Sequence, residues 1–285
     1  MKTTSLRIRP FNVGGAFEII LPNGRVVLID PFFTGNDFPG GRSREDVTGA
    51  DYIILSHTHC DHDIDVGYFC KKFGAKVFCG AQSALELVKY HQIPYDNVFP
   101  VHPGQQYTLE DFTVEFFQAK HNPSGSMTYG PENDMAKRTL GIDGHFGCDV
   151  WGYLESLDFL ITTNNNFRIL NASGRVIWSE LFETCKARRP NMLLRQAGVR
   201  RVGGTADGEQ VSSAELAQLM VRYGAQVILP FHHEVLVNRW GAEKTSAYLD
   251  EVAEAVRRLD PGACFINPKA WAWYDISLDI TVGEG

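Results

Sequence analysis

The stretch Tyr52-Ile53-Ile54-Leu55-Ser56-His57-Thr58-His59-Cys60-Asp61-His62 decides how this chain is read. Its first four residues are an apolar run of the kind that makes a buried strand. Directly behind them, His57, His59, Asp61 and His62 crowd potential metal ligands into six residues. Imidazoles packed together repel when protonated and need partners when buried. A divalent cation meets both demands, because it binds neutral imidazole and ionised carboxylate. In an extended segment alternate residues share a side, so His57 and His59 suit one ion. Asp61 and His62 come after the chain turns and suit a second position. Cys60 alternates away from the ligands and is read as packing.

Outward from the motif, two β-rich runs at 17–21 and 25–29 flank Pro22-Asn23-Gly24, a strong hairpin signal, and the second ends at Asp30-Pro31. Residues 33–50 are Gly-rich and polar and read as a loop. Helices are expected at 64–73 and 82–91, with strands at 76–79 and 98–101. A turn leads from 106–109 into a strand at 112–119, which closes on Lys120-His121. Residues 122–150 are rich in Gly, Pro, Asn and Asp and are expected to be a long irregular lid. Strands are expected near 153–154 and 158–162, then at 167–170 after the turn Asn164-Asn165-Asn166. The last third alternates helices at 175–187, 212–224 and 243–259 with strands at 192–194, 226–229, 264–267 and 271–275. Ser212 or Ser213 caps the second of these helices, with Glu215 in its first turn. Two mostly β runs, each decorated with helices, predict two sheets packed face to face with helices outside. The whole of 1–285 is read as one α/β (α+β) domain.

The bulk composition narrows the function. The chain is 44% hydrophobic and 21% charged with a net charge of −7, so it has the makings of a large core and no basic face for nucleic acid. No apolar run approaches ~18 residues, so no membrane span is expected. Cys60, Cys70, Cys79, Cys148, Cys185 and Cys264 are scattered without a Cys-x-x-Cys pair, and residues 1–9 show no apolar leader core. Reduced thiols and a cytoplasmic location are the expectation.

His-x-His-x-Asp-His after a short apolar strand resembles the metal motif of the metallo-β-lactamase-fold hydrolases. The resemblance implies a four-layer αββα sandwich and further ligands at later strand ends. His121 matches the third ligand of the first metal. His232, in Val227-Ile228-Leu229-Pro230-Phe231-His232, matches the last ligand, with His233 as its alternative. Asp30 resembles the family's first acidic residue, which supports the ligands by hydrogen bonding. One element departs from the pattern. The bridging Asp of the family falls on Ala172 in Leu170-Asn171-Ala172-Ser173-Gly174, with Asn171 and Ser173 as weak neutral substitutes.

The implied centre is therefore His57, His59 and His121 on one tight metal, with Asp61, His62 and His232 facing a second that is weak or absent. Zinc is expected, with manganese or iron as alternatives. Within the superfamily the chain looks like the L-ascorbate-6-phosphate lactonase branch, with the N-acylphosphatidylethanolamine phospholipase D type as a second relation. The implied activity is hydrolysis of an ester, lactone or phosphodiester in a small-molecule substrate, anionic in one option, by a metal-bound hydroxide. Asp61 is expected to orient or deprotonate the water, and His232 or His145 to protonate the leaving group. His145 has two other readings, a replacement ligand or an ordinary loop residue. Lys120 and Arg195 are candidate contacts for an anionic substrate. A different class of function is a metal-retaining binding or sensing protein with little turnover, because the bridging Asp is missing. An iron redox protein ranks last.

Overall fold

The computed structural model describes residues 3–12, 14–121, 130–175, 179–200 and 210–278. The first sheet contains β1 (Thr3–Pro10), β2 (Phe17–Ile20), β3 (Val26–Ile29), β4 (Tyr52–Ile54), β5 (Lys76–Gly80) and β6 (Val98–Val101). The second contains β7 (Gln106–Thr108), β8 (Phe112–Gln118), β9 (Leu157–Thr163), β10 (Arg168–Ala172), β11 (Met192–Gln196), β12 (Val227–Phe231) and β13 (Cys264–Phe265). The last strand, β14 (Tyr274–Leu278), returns to pair with β1, so the sheet orders are β14-β1-β2-β3-β4-β5-β6 and β13-β12-β11-β10-β9-β8-β7.

The two sheets face each other through Phe17, Ile19, Val27, Ile29, Ile54 and Phe78 on one side and Phe116, Phe159, Ile169, Leu194 and Leu229 on the other. Alternate residues of the same strands, such as Leu28, Ile53 and Val77, are buried on the outer face. Burial on both faces is why these strands read as continuous apolar runs and not as alternating ones. The helices are α1 (Cys60–Asp63), α2 (Val66–Phe73), α3 (Ala84–His91), α4 (Met135–Leu140), α5 (Phe146–Leu154), α6 (Ser179–Arg188), α7 (Ser213–Val221), α8 (Glu234–Trp240) and α9 (Ala242–Leu259). Phe69 of α2 and Leu87 of α3 cover the first sheet. Phe182 of α6, Leu216 and Met220 of α7, and Leu249 and Val252 of α9 cover the second. The result is the αββα sandwich. The start of α7 carries a full capping box, with Ser212 Oγ accepting from Glu215 N while the Glu215 carboxylate accepts from Ser212 N.

Three expectations need correction. Residues 135–140 and 146–154 of the expected lid are helices α4 and α5, while 122–129 lie outside the described residues. The expected strand at 153–154 is the last turn of α5. Strand β1 and helix α8 were not foreseen. No helix among the described residues is long and apolar enough to cross a membrane.

Strand direction sets the site. β3 and β4 run parallel, which brings Asp30 and Ser56 to one edge. β8 and β10 are both antiparallel to β9, and β10, β11 and β12 are parallel, so the ends of β8, β10 and β12 also share one edge. Leu157 N donates to Ser56 O at 2.8 Å, tying the two sheets together there.

Candidate metal centre

The chain leaves β4 at Ile54 and turns into α1 with His59 at the helix N-cap, φ −77° and ψ 151°. His59 thus sits on extended backbone, and Asp61 and His62 on the first helical turn. Rings of His57 and His59 are 4.7 Å apart, His59 and His121 4.5 Å, and His57 and His121 5.0 Å. One ring nitrogen from each of the three lies within 4.8 Å of the others. The Nε2 atoms of His57 and His59 and the Nδ1 of His121 are buried with no hydrogen-bond partner.

The tautomer of His57 follows from its neighbours. Ser56 Oγ commits its single proton to Asp30 Oδ2 at 2.6 Å, so it accepts from His57 Nδ1 at 3.0 Å. The proton on Nδ1 leaves Nε2 with its lone pair. Burial, then the neighbouring imidazoles, drive the His57 pKa well below its usual value. Burial also lowers His59, to about 3, and lowers His121. Three neutral imidazoles with orphaned buried nitrogens form a donor set that suits a borderline cation such as zinc.

The second half of the motif is anionic. Asp61 Oδ2 lies 3.8 Å from His62 Nε2 and 4.0 Å from His232 Nε2. Burial opposes the Asp61 charge, but His62, His232 and His59 outweigh it and hold the carboxyl below its usual range. His62 Nδ1 lies 3.0 Å from Asp30 Oδ2. Burial resists a charge on His62 too, yet Asp61 and Asp30 push its pKa up to about 9. Positive charge is therefore favoured between these carboxylates, whether carried as a proton or as a metal ion. Asp30 also accepts from Ser56 N at 2.7 Å. Its backbone has φ +43° and that of His232 φ +57°. Non-glycine residues held there are strained, and such strain gathers at functional sites.

Of the sequence candidates, the structure brings together His57, His59, Asp61, His62, His121, His232 and Asp30. His233, the alternative to His232, keeps a buried Nδ1 without a hydrogen-bond partner, and burial lowers its pKa to about 4. His145 is a correction. It is fully buried, with Nε2 2.7 Å from Asp63 and Nδ1 3.1 Å from Asp149, so both nitrogens are committed away from any substrate. Asp63, His145 and Cys148 also lie within 4.8 Å of one another. Burial raises the Cys148 thiol above its usual range, and both His145 nitrogens face carboxylates, an arrangement that favours a proton on His145. Arg195 is a second correction. It is 2% exposed and its Nη1 donates to the carbonyls of Ala172 and Gly174 at 2.7 Å each, so it braces that turn. Ala172 itself packs in the outer layer with Leu170, Phe182 and Leu193 and offers nothing to a cation.

Sequence reasoning missed three neighbours. Glu234 Oε1 contacts His232 Nδ1; the signal was a carboxylate two residues past His232. The Tyr153 ring packs 4.3 Å from His59. Arg175 N donates to Lys120 O at 3.1 Å, next to His121, and its Nε is buried without a hydrogen-bond partner. A surface depression lined by Glu183, Lys186, Arg189, Asn191 and Gln226 lies at the start of β11 and β12, the opposite end from His232, and contains no imidazole.

A sandwich with imidazoles and carboxylates gathered at one edge defines a metal-binding class of protein. The sequence of residues 17–163 matches the model of the metallo-β-lactamase superfamily, and the chain belongs to that superfamily. It is 34% identical over 112 residues to a UPF0173 metal-dependent hydrolase of Carboxydothermus hydrogenoformans, covering 39% of this chain and 47% of that protein. A UPF0173 metal-dependent hydrolase of Staphylococcus aureus is 35% identical over 102 residues, 36% of this chain and 43% of its own length. The chain thus spans about half the length of the curated relatives it matches. Among solved structures, the metallo hydrolase Igni18 from Ignicoccus hospitalis has a TM-score of 0.66 at 14% identity, covering 97% of this chain and 100% of that one. The isothiocyanate hydrolase from Delia radicum gut bacteria has a TM-score of 0.59 at 15% identity, covering 96% and 100%. At these identities the likeness is one of fold.

Proposed function

We propose that this chain is a metal-dependent hydrolase that cleaves an ester, lactone or phosphodiester bond in a small anionic substrate. The observation that carries the reading is the trio of buried imidazoles, His57, His59 and His121, with ring nitrogens within 4.8 Å of one another. These three would hold a tight cation, with zinc the best match to a three-imidazole set. Asp61, His62 and His232 would hold a second, weaker one. A cation bound there supplies a water of lowered pKa, toward ~7, and polarises a carbonyl or phosphoryl oxygen.

The chain's own groups do the rest. Asp61 stays ionised and has a buried Oδ1 without a partner, so it orients the attacking water and takes a proton from it. Where the second cation is absent, His232, across from Asp61, carries the proton for the leaving oxygen. Arg175 supports the anionic substrate. Its Nε is buried without a partner, and its guanidinium lies close enough to help hold His59 and His121 neutral. A planar fork of donors there suits a phosphate or carboxylate.

A second reading is a binding or sensing protein that keeps a metal with little turnover. It is favoured by Ala172, which leaves no carboxylate at the usual bridging position. Metal analysis with an assay across ester, lactone and phosphodiester substrates separates the two. His59→Ala should lose most bound metal and all hydrolysis. Full metal occupancy in that variant would overturn the assignment of the trio. A fully loaded wild-type chain that cleaves none of the three bond types would favour the second reading.

A further inference from the structure

Two dications held ~4 Å apart repel strongly in a partly dry site, and a bridging carboxylate normally offsets this. The chain has Ala172 at that position, so its second cation position needs negative charge from elsewhere. The structure provides a candidate in Glu234, the first residue of α8.

Four observations converge on it. Glu234 Oε1 contacts Nδ1 of His232, on the far side of the ring from Nε2. The Nε2 atom faces Asp61 Oδ2 at 4.0 Å. Glu234 Oε2 is buried and has no hydrogen-bond partner. His232 keeps a left-handed backbone, φ +57°, directly at the end of β12, and its ring has a carboxylate facing each nitrogen.

We propose that Glu234 is a positioning residue for the second cation position, formed by Asp61, His62 and His232. By accepting from Nδ1–H it fixes the His232 tautomer that leaves Nε2 bare for a metal. It also adds the negative charge that the chain lacks at Ala172. The arrangement repeats at the neighbouring ligand, where Asp30 lies 3.0 Å from His62 Nδ1 and His62 Nε2 faces Asp61. Both imidazoles of the second position are thus backed by a carboxylate. The inference rests on the metal-dependent reading above and goes beyond it, because it names what holds the second ion without the usual bridge.

The test is cobalt(II) titration of chelator-stripped protein, followed by visible absorption and by metal analysis after desalting. Wild type should bind in two phases. In Glu234→Gln the first phase should be unchanged and the second weakened about 10- to 100-fold, the usual consequence of losing a ligand's supporting partner. Glu234→Asp should recover part of the second phase. Unfolding temperature of the stripped protein is measured in parallel. Two unchanged phases in Glu234→Gln would overturn the inference, as would a single phase in wild type. Equal loss of both phases together with a lower unfolding temperature would also overturn it, by making Glu234 a general structural support. A wild-type chain that takes up no cation would instead remove the metal-dependent reading itself.

Discussion

Asp30 shows how much a single residue can decide. It accepts from Ser56 N and Ser56 Oγ, and lies 3.0 Å from His62 Nδ1, so one carboxylate orients the start of the motif and its last imidazole. The left-handed backbone at φ +43° is held against its intrinsic cost by these contacts. Asp30→Asn keeps the shape and removes the charge. We expect cation affinity at the second position to fall about 10- to 100-fold. Calorimetric titration checks this, and an affinity equal to wild type would show that charge at Asp30 is irrelevant. The same scale holds the clearest errors of sequence reading. His145 and Arg195 looked available because their sequence neighbourhood reads as loop or strand end; only Asp149, one helical turn on from His145, is a local partner. Their partners, Asp63 for His145 and the carbonyls of Ala172 and Gly174 for Arg195, are supplied by the fold. Arg175, which the sequence did not single out, keeps a buried Nε without a partner, as Arg195 does, but its backbone is tied to Lys120, next to His121.

At the scale of elements, α5 explains why part of the chain was misread. Gly147 and Gly152 make 146–154 look like loop, since glycine disfavours helix by roughly 1 kcal/mol against alanine. Packing requires the second of them. A Cβ at Gly152 would lie 2.6 Å from His59 Cδ2, 2.8 Å from His59 N and 2.9 Å from the Thr58 carbonyl carbon. The helix lies directly against the ligand loop, and Asp149 of the same helix accepts from Cys60 N at 3.1 Å. Gly152→Ala should raise helix propensity and yet displace His59. The expected outcome is a folded protein with weaker binding at the first cation position, read by metal analysis and circular dichroism together. Unchanged metal affinity would mean that the loop gives way freely. The helices α2, α3, α7 and α9 were legible in the sequence because each buries an apolar face of its own and needs no such concession.

For the whole molecule, the buried charges behind the site predict a pH dependence of stability. Burial alone would lower the His145 pKa, but Asp63 and Asp149 push it up to about 10. The folded value lies above the ordinary 6.5, so this stabilisation is complete below about pH 6.5 and disappears as pH rises through about 10. The unfolding temperature of wild type should therefore fall across that window. His145→Gln should be less stable at pH 7, by roughly 3–5 kcal/mol for breaking a buried pair, and flatter with pH. Differential scanning calorimetry between pH 6 and 10 gives the comparison; parallel curves for the two proteins would rule out this pair as the source.

The sequence by itself determined the αββα class and the dense half of the site. Strand-length apolar runs and ligand spacing are local properties, and His57, His59, Asp61 and His62 lie within one strand end and one helical turn. It also put forward His121 and His232 as strand-end candidates through the family resemblance, and Ala172 as the place where that pattern's carboxylate would be missing. Only the tertiary structure decided which polar groups are committed and which are open. Burial pairs His145 with Asp63 and Arg195 with backbone carbonyls, packing forces glycine into α5, and parallel strands bring Glu234 and Arg175 to the same edge as the motif. Apart from the short step from His232 to Glu234, those outcomes depend on contacts between residues far apart in the chain, which no local pattern encodes.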